Sequence, residues 1–119
     1  GNPMKIEKVA ASTDPKVLAC KEAAGEEVFS ACCSDMMSDV LAFVKEQGLL
    51  LTGLLNPQVV RTAEMMDMRA ILFVRNKQPN EEILALAEQF GIVVMSTPLH
   101  MFEACGRVYE GGLKGVKPI

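Results

Sequence analysis

Apolar positions along this chain switch between two periods. Ala70-Ile71-Leu72-Phe73-Val74 and Ile92-Val93-Val94-Met95 are short unbroken apolar runs, each closed by a polar turn. Leu49-Leu50-Leu51, ending at Thr52, has the same character. A strand that is apolar on both faces is one covered on both faces, so these runs predict internal strands of a buried sheet. After each run the spacing lengthens to that of a helix. Val60, Ala63 and Met66 form one apolar face, and Ile83, Leu86, Ala87 and Phe90 a second. Phe102, Cys105, Gly106 and Tyr109 form a third at i, i+3, i+4, i+7 spacing.

The polar residues between these segments predict where helices begin and end. Asn56 suits an N-cap and Pro57 the first helical position, where no N–H partner is needed. Lys77-Gln78-Pro79-Asn80 reads as a turn, with Glu81 and Glu82 in a first helical turn that the macrodipole favours for acids. Gly91 closes that helix. Thr97 is expected to cap the last helix, with Pro98 as its first residue. Upstream, Ile6, Val9 and Ala10 give a weak helical face, stopped by Ser12-Thr13-Asp14-Pro15. Strands are expected over residues 17–20 and 28–33, around a turn at Gly25, as a hairpin or a mixed sheet edge. Ser34 or Asp35 is expected to cap a helix that turns Met37, Val40, Leu41 and Val44 inward and ends at Gly48.

Strand, polar turn and helix thus recur three times from Leu49 onward. That alternation implies βα units with right-handed crossovers. The expected fold is α/β, a three-layer α/β/α sandwich with a mostly parallel (mixed) sheet of about five strands. The units share no residue-level repeat, so a solenoid is not expected. The 119 residues fit one domain, placed at residues 4–113. Gly1-Asn2-Pro3 reads as a tag remnant before Met4. Residues 114–119 read as a flexible tail that frays or lies on a neighbour.

Charge and composition narrow the partners. The net charge is −3, Lys and Arg are scattered, and there is no Trp and one Tyr. A nucleic-acid groove needs clustered basic residues and usually aromatic platforms, so none is expected. No apolar run approaches the ~20 residues that span a membrane. With no secretory leader read at the start, the protein is expected in the cytoplasm, with Cys20, Cys32, Cys33 and Cys105 as reduced thiols. Their spacing matches no zinc template, so they read as small buried side chains, and no metal or cofactor is expected.

Three stretches together resemble the DRTGG domain family. They are Ser34-Asp35-Met36-Met37-Ser38-Asp39-Val40, Leu51-Thr52 closing a strand, and Met95-Ser96-Thr97-Pro98 followed by Phe102-Glu103. The resemblance runs from Met4 to Leu113. The five residues that name the family are absent, with Thr52-Gly53 alone near that place. Such domains occur by themselves or beside CBS domains in some inorganic pyrophosphatases, and relatives of the domain lie in phosphotransacetylases. The amino-terminal domain of HPr kinase/phosphorylase is similar. The resemblance implies a regulatory or dimer-forming module, with stand-alone members as cytoplasmic homodimers.

If the strands are parallel, Ser34, Asp35, Thr52, Gly53, Asn56, Ser96 and Thr97 gather at one rim of the sheet. Hydroxyls, backbone N–H groups and helix amino ends there favour a small anionic metabolite or nucleotide. The competing reading is that each is a cap or turn residue. Neither a phosphate-binding Gly-x-x-x-x-Gly-Lys loop nor a Gly-x-Gly-x-x-Gly fingerprint is present, so kinase activity is not expected. Asp35 and Asp39 lie one helical turn apart and read as a solvated face rather than a metal pair. His100 and Cys105 are not i, i+4 neighbours, and no third group orients the imidazole, so no Cys–His dyad is expected. Met36, Met37, Val40, Met65 and Met66 are the expected homodimer patch, methionine being adaptable at interfaces; their competing role is the core. The function expected is a non-enzymatic regulatory module that dimerises and binds a small anion at the carboxyl ends of its strands. The alternative is a small enzyme acting on a phosphorylated or thiol substrate through its cysteines.

Overall fold

The computed structural model describes residues 2–42 and 47–116. Two strands near the amino terminus, Met4–Lys5 (β1) and Glu27–Val28 (β3), pair antiparallel as a small ribbon. The main sheet has five strands: Lys16–Ala19 (β2), Ser30–Cys33 (β4), Gly48–Thr52 (β5), Ala70–Phe73 (β6) and Val93–Ser96 (β7). Their order is β2-β7-β6-β5-β4. The pairs from β4 to β7 are parallel, with Leu50 opposite Ile71 and Ile71 opposite Val94. The edge strand β2 runs antiparallel to β7, with Lys16 opposite Ser96. All residues of β5, β6 and β7 are buried, as expected of strands covered on both faces.

Helices Ile6–Ala10 (α1), Met37–Leu41 (α2), Pro57–Met65 (α3), Glu81–Phe90 (α4) and Met101–Glu110 (α5) make the outer layers. Alternate strand residues feed two cores. Leu49, Leu51, Leu72 and Met95 pack with Ile6 and Val9 of α1 and Ala104 and Val108 of α5. Leu50, Ile71, Phe73 and Val94 pack on the other face with Val40, Val59, Val60, Ala63, Ile83 and Ala87 of α2, α3 and α4. Each Val, Leu, Ile, Met or Phe side chain among these contributes about 1.5–3 kcal/mol on burial. The result is the expected three-layer sandwich with a mixed, mostly parallel sheet.

Helix ends follow expectation where side-chain chemistry acts locally. Asn56 caps α3 by accepting from the Gln58 N–H, with Pro57 as first residue. Asn80 caps α4 by accepting from the Ile83 N–H, and Gly91 ends it at φ 71°. In αL geometry a glycine carries no Cβ penalty.

Elsewhere the local expectations are corrected. Helix α5 starts at Met101 with His100 as N-cap, not at Pro98, because Thr97 is drawn into the core by two hydrogen bonds described below. The N-cap of α2 is Met36, since Asp35 is turned toward the next strand and Ser34 makes a turn to the Met36 N–H. Gly48 opens β5 rather than ending α2; Val44, assigned to the face of that helix, lies outside the described residues. Helix α5 buries Ala104 and Val108 and half-buries Met101 and Cys105. Phe102 and Tyr109, expected inward, are 85% and 59% exposed. The face that packs on Leu49 and Leu51 of β5 is instead the one carrying Ala104 and Val108, rotated from the face that the i, i+3, i+4, i+7 spacing predicted. The stretch 28–33 is broken between β3 and β4, and no hairpin forms with β2, which lies at the opposite sheet edge. As far as residue 116 the tail lies on its own chain: Leu113 is buried and the Ala31 N–H of edge strand β4 donates to the Lys114 carbonyl; residues 117–119 lie outside the described residues.

Candidate functional site

The carboxyl ends of β4, β5, β6 and β7 and the start of β2 form one rim. Asp35, in the loop after β4, reaches across to the loop after β5. Its Oδ1 accepts from the Gly53 backbone N–H at 2.7 Å and from the Thr52 hydroxyl at 3.1 Å. Thr52 is buried, and its oxygen in turn accepts from the Leu54 N–H. From the loop after β6, Arg75 brings an Nη2 nitrogen to 3.7 Å of Asp35 Oδ2. The Gly53 N–H bond to the charged form is the main reason the Asp35 carboxyl sits below the usual range. Partial burial opposes this, and Thr52 and Arg75 add to it.

Arg75 is held by its backbone. It and Asn76 adopt successive left-handed conformations, φ 60° and 56°, of order 1 kcal/mol or more each in strain. The Arg75 N–H donates to the Leu99 carbonyl at 2.7 Å and the Asn76 N–H to the Thr97 carbonyl at 2.8 Å, which fixes the turn. The guanidinium then lies over Gly53, where a Cβ would come within 2.1 Å of Nη2. Sequence reasoning missed Arg75. Its signal was position: it follows the strand 70–74 directly, at the carboxyl end of a parallel strand, where open α/β sheets place ligands.

Of the seven predicted rim residues, the structure brings four together: Ser34, Asp35, Thr52 and Gly53. Asn56 is a helix cap. Ser96 and Thr97 are buried and tie loops down. The Ser96 hydroxyl donates to the Lys77 carbonyl at 2.8 Å. The Thr97 hydroxyl donates to the Thr13 carbonyl and accepts from the Leu99 N–H. A cavity of about 340 Å³ opens beside Ser34, bounded by Cys33, Asp39 and Ala42. Of the five residues expected in a dimer patch, Met36 and Met65 are exposed and Met37 is half-buried. Val40 and Met66 are packed in the chain's own core, which removes them from any free patch.

The four cysteines separate into three environments. Cys20 lies at the opposite end of the sheet, where Glu88 accepts from its backbone N–H at 2.7 Å. Burial, then Glu88, pushes its thiol up to about 11. Cys32 is buried in the α2–α4 core and also rises to about 11, through burial first and Asp39 second. Cys33 and Cys105 meet on the α5 side, their sulfurs 2.6 Å apart. Among the described residues, Cys20, Glu22 and Glu88 bring ligand atoms within 4.8 Å of one another. Glu88 is already engaged there, accepting from the Cys20 backbone N–H and its thiol. Among the described residues, no helix is long and apolar enough to cross a membrane.

No protein-family model matches the sequence, and no curated protein does. Among the solved structures that are similar is one that matches across 90% of the chain, with a TM-score of 0.74 and 15% identity. It holds the CBS and DRTGG domains of the regulatory region of Clostridium perfringens pyrophosphatase, complexed with its activator, diadenosine tetraphosphate. The chain has a DRTGG-like fold. It spans 46% of the pyrophosphatase chain, and at this identity the DRTGG-like likeness is one of fold. The residue stretches that resembled the family map onto this fold at β4–α2, at the end of β5 and at β7–α5.

Proposed function

We propose that this DRTGG-like domain is a non-enzymatic regulatory module that binds a small anionic metabolite or nucleotide at the rim and acts as a homodimer. One observation carries the reading. A backbone N–H, a hydroxyl and a guanidinium from two separate loops converge on a single carboxylate, that of Asp35. Such a donor set suits any oxyanion, and phosphate or carboxylate oxygens present the same acceptor geometry. Asp35 therefore occupies the place of the anion, and an incoming ligand displaces it or shares Arg75 with it. The regulatory setting of the pyrophosphatase region, which carries a phosphorylated activator, supports the ligand class.

The test is a thermal-shift titration of the native chain with phosphate, pyrophosphate, mononucleotides and diadenosine tetraphosphate, beside Arg75→Ala. A ligand that binds only the folded state raises Tm with concentration. The expected result is a rise for at least one of these anions that Arg75→Ala abolishes. No rise at millimolar concentrations, or an equal rise in the variant, would overturn the reading. A second reading, a small enzyme using cysteines on a thiol or phosphorylated substrate, draws on the Cys33–Cys105 contact. Turnover of a thioester or acyl phosphate lost in Cys105→Ala would favour it.

A further inference from the structure

We infer that Cys33 and Cys105 form a redox-active dithiol, oxidised by low-molecular-weight disulfides to a bond that ties the end of β4 to α5. The two residues stand 72 positions apart in sequence, and the fold alone brings their sulfurs to 2.6 Å. That leaves roughly 0.5 Å to close before the ~2.05 Å of a disulfide. Cys33 is exposed and Cys105 is half-buried. Cys33 borders the cavity beside Ser34, and both residues line a second cavity of about 290 Å³ between β4 and α5, walled by Leu51, Val108 and Tyr109.

The other thiols do not compete for this partner. Cys32 points to the opposite face of the sheet, as alternation along β4 requires, and Cys20 is buried at the far end. Desolvation where the Cys33 sulfur meets Cys105, and the hydrogen bond between the two, push the Cys33 thiol up, which disfavours Cys33 as the first nucleophile. Cys105 loses its proton to solvent and its sulfur attacks one sulfur of a disulfide R–S–S–R, forming a Cys105–S–S–R bond and releasing R–S⁻, which solvent protonates. Cys33 then loses its proton to solvent, and its sulfur attacks the Cys105 sulfur. The second R–S⁻ leaves as the Cys33–Cys105 bond forms. Two protein thiols are oxidised and one small disulfide is reduced to two thiols. The bond would tie the strand end two residues before Asp35 to α5.

The full chain, purified reduced, is equilibrated in glutathione buffers of rising oxidised fraction, trapped with a maleimide and digested for mass spectrometry. The expected product is a Cys33–Cys105 linked peptide pair within one chain, two hydrogens lighter, with Cys20 and Cys32 alkylated. A Cys20→Ala/Cys32→Ala double variant should retain that cross-link, while Cys33→Ala should stop at a persistent glutathione adduct on Cys105. Four free thiols in fully oxidised glutathione would overturn the inference. So would a stable adduct without internal cross-link in the native chain, or a cross-link through Cys20 or Cys32.

Discussion

The guanidinium of Arg75 lies over Gly53 so closely that a Cβ added there would come 2.1 Å from Nη2 and 2.8 Å from Cζ. The obstructing atoms are the far end of a flexible side chain, so the chain can yield. Gly53→Ala should fold, with Arg75 swung off the rim. The lost ion pair is half exposed, which limits the stability change to about 1 kcal/mol or less. Urea denaturation measures that change. The larger effect should be on anion binding, which titration calorimetry of a ligand found by thermal shift would show weakened as in Arg75→Ala.

Acid should act on the rim through Asp35. Its folded-state carboxyl is depressed, chiefly by the Gly53 N–H. A depressed carboxyl contributes stability that is fully present above the unfolded value of about 3.9 and lost as pH falls through the lower folded value. Asp35→Asn should therefore narrow the stability difference from the native chain below about pH 4 and leave it constant above about pH 5. Denaturation midpoints measured from pH 2.5 to 7 test this; parallel curves for the two proteins throughout would contradict it.

Thr97 joins the end of β7 to the loop after α1 through the Thr13 carbonyl, with Thr97 fully buried. Thr97→Val keeps the shape and removes the hydroxyl. The buried Thr13 carbonyl and the Leu99 N–H then lose a partner, at a cost of about 1–3 kcal/mol. Urea midpoints with an unchanged slope would give that figure directly.

Dimerisation makes opposite demands on two residues of the expected patch. Met65 is 58% exposed, and Met65→Glu, combined with Met36→Glu, should give a folded monomer by sedimentation velocity. Val40 is fully buried, so Val40→Glu places an unpaired carboxylate in the α2–α4 core and should abolish the cooperative transition. A native chain that sediments as a monomer at high micromolar concentration would defeat the dimer proposal.

The sequence by itself determined the elements whose cause is local. Runs such as Leu49-Leu50-Leu51 and Ala70-Ile71-Leu72-Phe73 are apolar on both faces, which requires helices on both sides of a parallel sheet. Asn56-Pro57, Asn80 and Gly91 set their helix ends because a side-chain oxygen or a missing Cβ acts within three residues. Tertiary structure decided what depends on partners distant in sequence. Asp35 gave up capping α2 because Gly53, 18 residues on, offers its N–H. Thr97 gave up capping α5 because Thr13, 84 residues back, accepts its hydroxyl. Phe102 faces outward although its period allowed the core, since α5 turns Ala104 and Val108 onto the sheet instead. Arg75 joins the rim, and Cys33 meets Cys105, only because strand order places their loops and helices side by side, a fact no local pattern encodes.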